Sequence, residues 1–307
     1  MLSELKGYNS SLTFIKALAI GLVQNENDVL LHLDNGTSIK ARLLIDASGK
    51  ALFLENLQGE TENKYYSHVY GGTFSGVRNP KEKLCCFLLP NPDFGSGGGW
   101  FYSLGHDRAS FGYATISEKP NPDFSMLKEN FERALRRFEP YAEYLKDAQI
   151  EHIESGVIPI TPVRRLVQGN AMIIGDAGGM ATNWTCMGIE PALEYGRLAG
   201  NLSVQAILEN YPGLLKNLQT RWDTQEKPIY DVTAKNVTNF WTSDHYFWEW
   251  IIKNDLAFLS PGQLLDRLRW NSHILKWFQI IPRAINHKIL SIIDKNANLP
   301  RHIIKRF

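Results

Sequence analysis

Hydrophobic positions change their rhythm several times along the chain. From Thr13 to Ile45 the rhythm is strand-like: Val29-Leu30-Leu31-His32-Leu33 is followed by Asp34-Asn35-Gly36, then by Ser38 to Ile45. The Asp-Asn-Gly turn between two apolar stretches predicts a hairpin. Leu43-Leu44-Ile45 is a continuous apolar run, which predicts a short strand buried on both faces and ended by the small residues Asp46-Ala47-Ser48-Gly49. Residues 65 to 118 alternate apolar and small residues with glycine breaks, among them Gly95-Ser96-Gly97-Gly98-Gly99 before Trp100-Phe101-Tyr102, and predict an antiparallel sheet. Phe124, Leu127, Phe131, Leu135, Phe138 and Tyr141 recur three or four residues apart, so one amphipathic helix is expected over 124–145, just after Pro120 and Pro122.

The rhythm changes again at Gly169-Asn170-Ala171-Met172-Ile173-Ile174-Gly175-Asp176-Ala177-Gly178-Gly179. An apolar strand there runs into a Gly-Asp turn, a small loop and a helix through Gly188-Ile189-Glu190-Pro191-Ala192-Leu193-Glu194-Tyr195-Gly196-Arg197. From Tyr211 onward the chain reads as largely helical, with aromatic residues clustered at 240–250 and 270–278. No internal repeat and no low-complexity linker stands out.

Composition narrows the function classes. With 307 residues and 44% hydrophobic content, the chain can bury one large core or two modest ones, which argues against disorder. No apolar run reaches the roughly 20 residues needed to cross a bilayer, and the opening residues lack a secretory layout, so a cytoplasmic location is expected. Cys85, Cys86 and Cys186 are too few and too poorly spaced for a disulfide framework. The eight histidines are scattered, so no metal site is expected. Residues 263–307 hold nine Lys or Arg against Asp266 and Asp294, a net +7, which leaves −6 for the rest of a chain whose total is +1. That basic stretch reads either as solvated helix faces or as a peripheral membrane contact; nucleic acid is not an expected partner.

The candidate chemistry sits at Gly175-Asp176. Glycine lets a ligand approach the strand's end, and the turn aims the carboxylate at hydroxyl groups beyond the sheet edge. A helix starting near Gly188 presents free backbone N–H groups and its positive dipole end, and Pro191 in its first turn removes a donor that needs no partner. Such a helix end holds an anion. The same residues also fit a plain strand-to-helix turn in which Asp176 caps local backbone.

Taken with Ile45-Asp46-Ala47-Ser48-Gly49 upstream, across a sheet and a helix, this ordered set resembles flavoproteins with a glutathione-reductase-like FAD fold, and particularly the geranylgeranyl reductase family. The resemblance covers about residues 12 to 208. It implies an α/β (α+β) fold in four parts: a partial FAD-binding domain over 1–63, a substrate-binding antiparallel sheet plus helix over 64–165, a return segment of the FAD domain over 166–210, and a C-terminal helical region over 211–307. By the same resemblance Ser48, Gly49, Gly175, Asp176, Gly188 and Ile189 are the cofactor contacts. Asp176 meets the ribityl chain, and the backbone at Gly188 and Ile189 meets the pyrimidine end of the flavin. Trp100-Phe101-Tyr102-Ser103 is similar to the family's aromatic pocket motif, with Ser103 where proline is usual.

Trp100, Tyr102, Trp184 and Cys186 are the substrate-side candidates. The three aromatics suit either an apolar tunnel or ordinary core packing. Thr185-Cys186-Met187-Gly188 has less glycine than the family pattern, and Cys186 reads as a small buried hydrophobe with no catalytic role. The resemblance implies an FAD-dependent oxidoreductase that reduces carbon–carbon double bonds of a prenyl or other lipid-like substrate, with NADPH or NADH as electron donor. The alternatives are a flavin-dependent monooxygenase, a halogenase or a carotenoid-cyclase-like enzyme, and a non-catalytic half of a split flavoprotein. Family members open with a strand and a Gly-x-Gly-x-x-Gly turn, and Met1 falls after the position of that unit. A partner chain or an upstream reading frame is therefore expected to supply it, and the chain alone is expected to expose an unpaired hydrophobic sheet edge and to be poorly soluble.

Overall fold

The computed structural model describes residues 12–58, 65–78, 85–88, 97–118, 120–137, 139, 141–183, 186–228 and 230. Trp184, the aromatic clusters beyond residue 236 and the basic stretch 263–307 lie outside the described residues. Three sheets organise the rest.

The first is a meander of β1 (Ala19–Gln24), β2 (Val29–Leu33) and β3 (Ser38–Ala41). The hairpin expected at Asp34-Asn35-Gly36 is present, with Val29 opposite Ala41 and His32 opposite Ser38. Asn35 Oδ1 accepts bonds from the Thr37 amide and hydroxyl at 3.0 and 2.7 Å, and this holds the turn from inside.

In the second sheet β11 (Ala171–Ile173) lies between β10 (Val167–Gln168) and β4 (Leu44–Asp46), antiparallel to the one and parallel to the other. Two segments 127 residues apart in sequence thus end side by side, with Asp46 opposite Ile173. Burial of β4 on both faces does not occur: Ile45 is 37% exposed and Leu44 only half-buried. Among the described residues no strand pairs with the outer edge of β4, so that edge and part of its side-chain surface stay uncovered there. Helix α4 (Ile189–Leu208) packs on β11 through Tyr195, Ala199, Leu202 and Ala206. Its other face leaves Ile189, Leu193, Val204 and Leu208 exposed.

The third sheet, in the order β6 (Cys85–Leu88), β7 (Gly98–Gly105), β8 (Arg108–Ser117), β5 (Tyr66–Ser75), β9 (Gln149–Pro159), is wholly antiparallel. Phe74, Phe101, Phe111 and Tyr113 from one face meet Phe131, Ala134 and Leu145 of the helices beneath. The single helix expected over 124–145 is two, α2 (Phe124–Arg137) and α3 (Tyr141–Leu145), because Pro140 falls between them and proline cannot continue a helical hydrogen-bond ladder. Strand β9 has no clear period in the sequence. A bulge opposite Thr73 and Phe74 inserts one extra residue, which flips side-chain parity and leaves Ile150 and Ile153 three apart and partly exposed.

Candidate functional site

The parallel strands β4 and β11 both finish in tight turns, and these turns lie against each other. The first, Ser48 to Leu52, is built by Asp46. Its carboxylate is 5% exposed and accepts the Ser48 amide on Oδ1 and the Leu54 amide on Oδ2, both at 2.9 Å. The Ser48 hydroxyl oxygen accepts the Phe53 amide at 3.1 Å, so the side chain of this candidate contact is engaged locally. Gly49 has φ +64° and open space where a side chain would stand. Asp46 was not singled out as a working residue in the sequence. Its signal was a carboxylate at the end of an apolar run two residues before a serine amide, the spacing of an Asx turn.

The second turn, Gly175–Gly178, is a single 3-10 turn closed by Gly179 at φ +61°. A Cβ on Gly179 would stand 1.9 Å from the Thr161 carbonyl oxygen, so two backbones meet there with nothing between them. Asp176 emerges half-buried from this turn, and its carboxylate has no hydrogen-bond or ion-pair partner among the described residues. Burial holds its pKa above the usual carboxylate range. Gly188 faces it: a Cβ at that position would come within 2.9 Å of Asp176 Oδ1. Gly188 is also the N-cap of α4 and contributes no side-chain cap, which leaves the first-turn amides of that helix without one. Five of the six expected cofactor contacts thus form one surface at the ends of β4 and β11, and Ile189, 80% exposed, stands at its rim. A half-buried, unpartnered carboxylate beside uncapped amides fits a ligand that brings both hydroxyl donors and negative charge.

Cys186 closes the side toward the third sheet. It packs with Ile160, Ala181, Ile116 and Ile158, and lies beside Ser67 and within the field of Asp176. Burial pushes its thiol up to about 12, so it is neutral at physiological pH, as expected of a packing residue. Its φ is +54°, a left-handed value that glycine adopts more easily. That backbone demand is met here by a cysteine under strain.

Ser67 stands opposite both Ile116 and Ile158, and the same sheet face continues through Gly71, Gly112 and Trp100, which are directly paired. Trp100 lies flat over the two glycines; a Cβ on Gly112 would come within 2.2 Å of its ring. Its indole Nε1 donates to Ser110 Oγ at 3.0 Å. Tyr102 points to the same face two residues on, opposite Ser110. Four residues of strand separate Ser67 from Gly71, about 13 Å, so Trp100 lies along the wall rather than at the turns themselves. Phe101, between them, belongs to the opposite face and the aromatic core.

No family model matches the chain. Among curated proteins it is 25% identical over 230 residues to digeranylgeranylglycerophospholipid reductase 1 of Methanococcoides burtonii, covering 72% of this chain and 54% of that one. It is 27% identical over 249 residues to the reductase of the same name from Methanopyrus kandleri, covering 79% and 63%. A menaquinone reductase of Mycobacterium tuberculosis is 29% identical over 197 residues, 61% of this chain and 47% of that one. The chain therefore spans about half to three-fifths of the length of these relatives. Among solved structures, a geranylgeranyl bacteriochlorophyll reductase-like protein from Thermoplasma acidophilum matches with a TM-score of 0.54 at 20% identity, over 80% of this chain and 59% of that one. A flavin-dependent brominase matches with a TM-score of 0.56 at 15% identity, over 78% and 61%. At these identities the likeness shows the fold: a mixed α/β architecture shared by flavin-dependent reductases and monooxygenases.

Proposed function

We propose that this chain belongs to the FAD-dependent geranylgeranyl reductase family and forms the flavin-facing and substrate-facing part of an oxidoreductase acting on carbon–carbon double bonds of a prenyl or similarly lipid-like substrate. The observation that supports this most directly is the unpartnered Asp176 carboxylate, placed beside Gly188 and the Ser48–Gly49 turn at the ends of two parallel strands. FAD, when bound, supplies hydride transfer. In this reading the Asp176 carboxylate accepts hydroxyl donors of the ribityl chain, and that contact offsets the desolvation it suffers in the free chain. The α4 amides at Ile189 and Glu190 favour negative charge on the pyrimidine end of the ring, which makes reduction easier. Cys186 and the Ile116–Ile158 patch keep water from the junction, and the Trp100–Tyr102 wall receives the apolar chain. The expected division into 64–165 for substrate and 1–63 with 166–210 for cofactor follows this split, and NADPH or NADH is the expected donor.

A segment carrying a Gly-x-Gly-x-x-Gly turn would pair with the free edge of β4 and cover the exposed apolar side chains of α4. A partner chain or an upstream part of the same protein is the proposed source, and a soluble, cooperatively unfolding monomer would count against the need for either. The curated relatives favour double-bond reduction over the halogenase or monooxygenase alternative, which shares the fold. No helix among the described residues is long and apolar enough to cross a membrane; the proposed peripheral membrane contact belongs to the basic stretch 263–307.

The test is the visible absorption spectrum of the purified chain with and without FAD. Bound oxidised flavin in the wild type, lost in Asp176→Ala, is the expected result and leads to assays of prenyl-chain reduction. Flavin bound equally by both would remove Asp176 from the site.

A further inference from the structure

A second cleft opens at the other end of β11, on the β10 edge of its sheet, away from both the Asp176 turn and the free edge of β4. Its volume is about 830 Å3. One wall is the segment leading into β11, with Arg164, Arg165 and Gly169; the other is the helical stretch after Tyr211, with Lys216, Gln219 and Thr220.

The two walls are fastened together from within. Gln219 Oε1 accepts the Leu166 amide at 2.6 Å and the Val167 amide at 3.3 Å, while its Nε2 donates to Asp223 Oδ1 at 3.0 Å. Asn170 adds a second brace: its amide donates to Gln24 Oε1 at 3.0 Å and its Nδ2 to the Asn25 carbonyl at 3.0 Å, which ties the wall to the meander. The cleft is thus a fixed shape, set by bonds that do not involve its cations.

The cations are what the fold leaves over. Arg164, Arg165 and Lys216 are exposed, and none of their side chains has an ion pair or hydrogen bond among the described residues. Four arginines elsewhere are ion-paired: Arg78 with Glu143 and Asp147, Arg108 with Glu151, Arg133 with Glu129, and Arg221 with Glu194. The cleft's one carboxylate, Asp223, already receives Gln219. Three like charges around a braced polar opening repel one another and attract an anion with several acceptor oxygens, for which arginine is the better-shaped donor.

We propose that this cleft is a binding site for a phosphate-bearing anion, separate from the flavin-facing site and independent of how that site is used. The phosphate belongs either to a soluble phosphate ester or to a lipid headgroup, and the chemistry that recognises it is the same. A lipid source would seat the β10 edge on an anionic surface.

The test uses the full chain with two ligands at low and at physiological salt. Inorganic pyrophosphate binding is followed by titration calorimetry, and co-sedimentation is measured with vesicles of phosphatidylglycerol in phosphatidylcholine. Saturable binding of at least one of them is expected, weakened roughly tenfold or more by Arg164→Gln with Arg165→Gln and, from the opposite wall, by Lys216→Gln. Arg137→Gln, an exposed cation on α2, is the control and should leave binding unchanged. Pyrophosphate binding without vesicle binding assigns a soluble ester; vesicle binding that pyrophosphate competes away assigns a headgroup. Binding of neither ligand, or equal loss in Arg137→Gln, overturns the site. Matching thermal melts for all variants show that the loss is not one of folding.

Discussion

The five-stranded sheet and the pair of strand ends at β4 and β11 solve opposite problems. The sheet is regular: nine consecutive residue pairs join β5 to β8, and one of its faces is filled with aromatic rings against α2, Phe131 lying 5.3 Å from Tyr70, 5.9 Å from Phe111 and 6.5 Å from Phe74. The strand ends are irregular, with left-handed backbone at Gly49, Leu52, Gly175, Gly179 and Cys186 and a buried carboxylate holding one turn. The sheet is stabilised by area and ring packing, which tolerate exchange of one apolar residue for another. The strand ends depend on single atoms and single torsions, which do not. A site that must present an open carboxylate and bare amides needs the second kind of construction, and the first kind holds it in place.

Substitutions should separate the two. The largest loss is expected from Phe131→Ala, about 3–5 kcal/mol in denaturant unfolding, since it opens a cavity among three rings. Phe131→Leu should recover most of it, because area rather than identity is at stake. Gly179→Ala comes next, at about 3 kcal/mol, for the new Cβ has only the Thr161 carbonyl to meet; here no other side chain should rescue it, and a tolerated Gly179→Ser would break the contrast. Asp46→Ala should cost about 1–3 kcal/mol by stranding the Ser48 and Leu54 amides, read as lower melting temperature and faster proteolysis within residues 48–58.

The smallest effect has the opposite sign. Burial raises the pKa of Asp176 in the folded chain, so its contribution to stability is full below the ordinary aspartate pKa and is lost as pH rises through the folded value. Asp176→Asn, which cannot ionise, should therefore melt slightly higher than the wild type at pH 7 to 8, with the gap closing below about pH 4. A gap that is absent at pH 7, or that grows on acidification, would show the carboxylate to be satisfied in the free chain. The same variant should lose flavin, so stability and binding would move in opposite directions at one residue.

Local chemistry explains what was legible beforehand. Asn35-Gly36 specifies a turn whatever surrounds it, the alternation over 65–118 specifies paired strands, and the apolar run into Gly175-Asp176 specifies a strand closed by a ligand-tolerant turn. Pro140 was an equally local signal, and it outweighed the apolar period that suggested one unbroken helix. By contrast, β9 was hidden because its bulge shifts parity, and Ile45 was misjudged because burial belongs to the neighbour of a strand and not to the strand.

The sequence by itself determined the hairpin at Asn35-Gly36, the paired strands over 65–118, the strand running into Gly175-Asp176 and the residue kinds able to carry the chemistry, because these rest on contacts a few residues long. Tertiary structure alone decided that Asp46 and Ile173 end side by side, that Gly188 stands off Asp176, that Cys186 takes a left-handed backbone against Ser67, and that Arg164, Arg165 and Lys216 share one cleft. Each of those depends on segments from a dozen to more than a hundred residues apart meeting through packing, and no periodicity along a chain records which faces will meet.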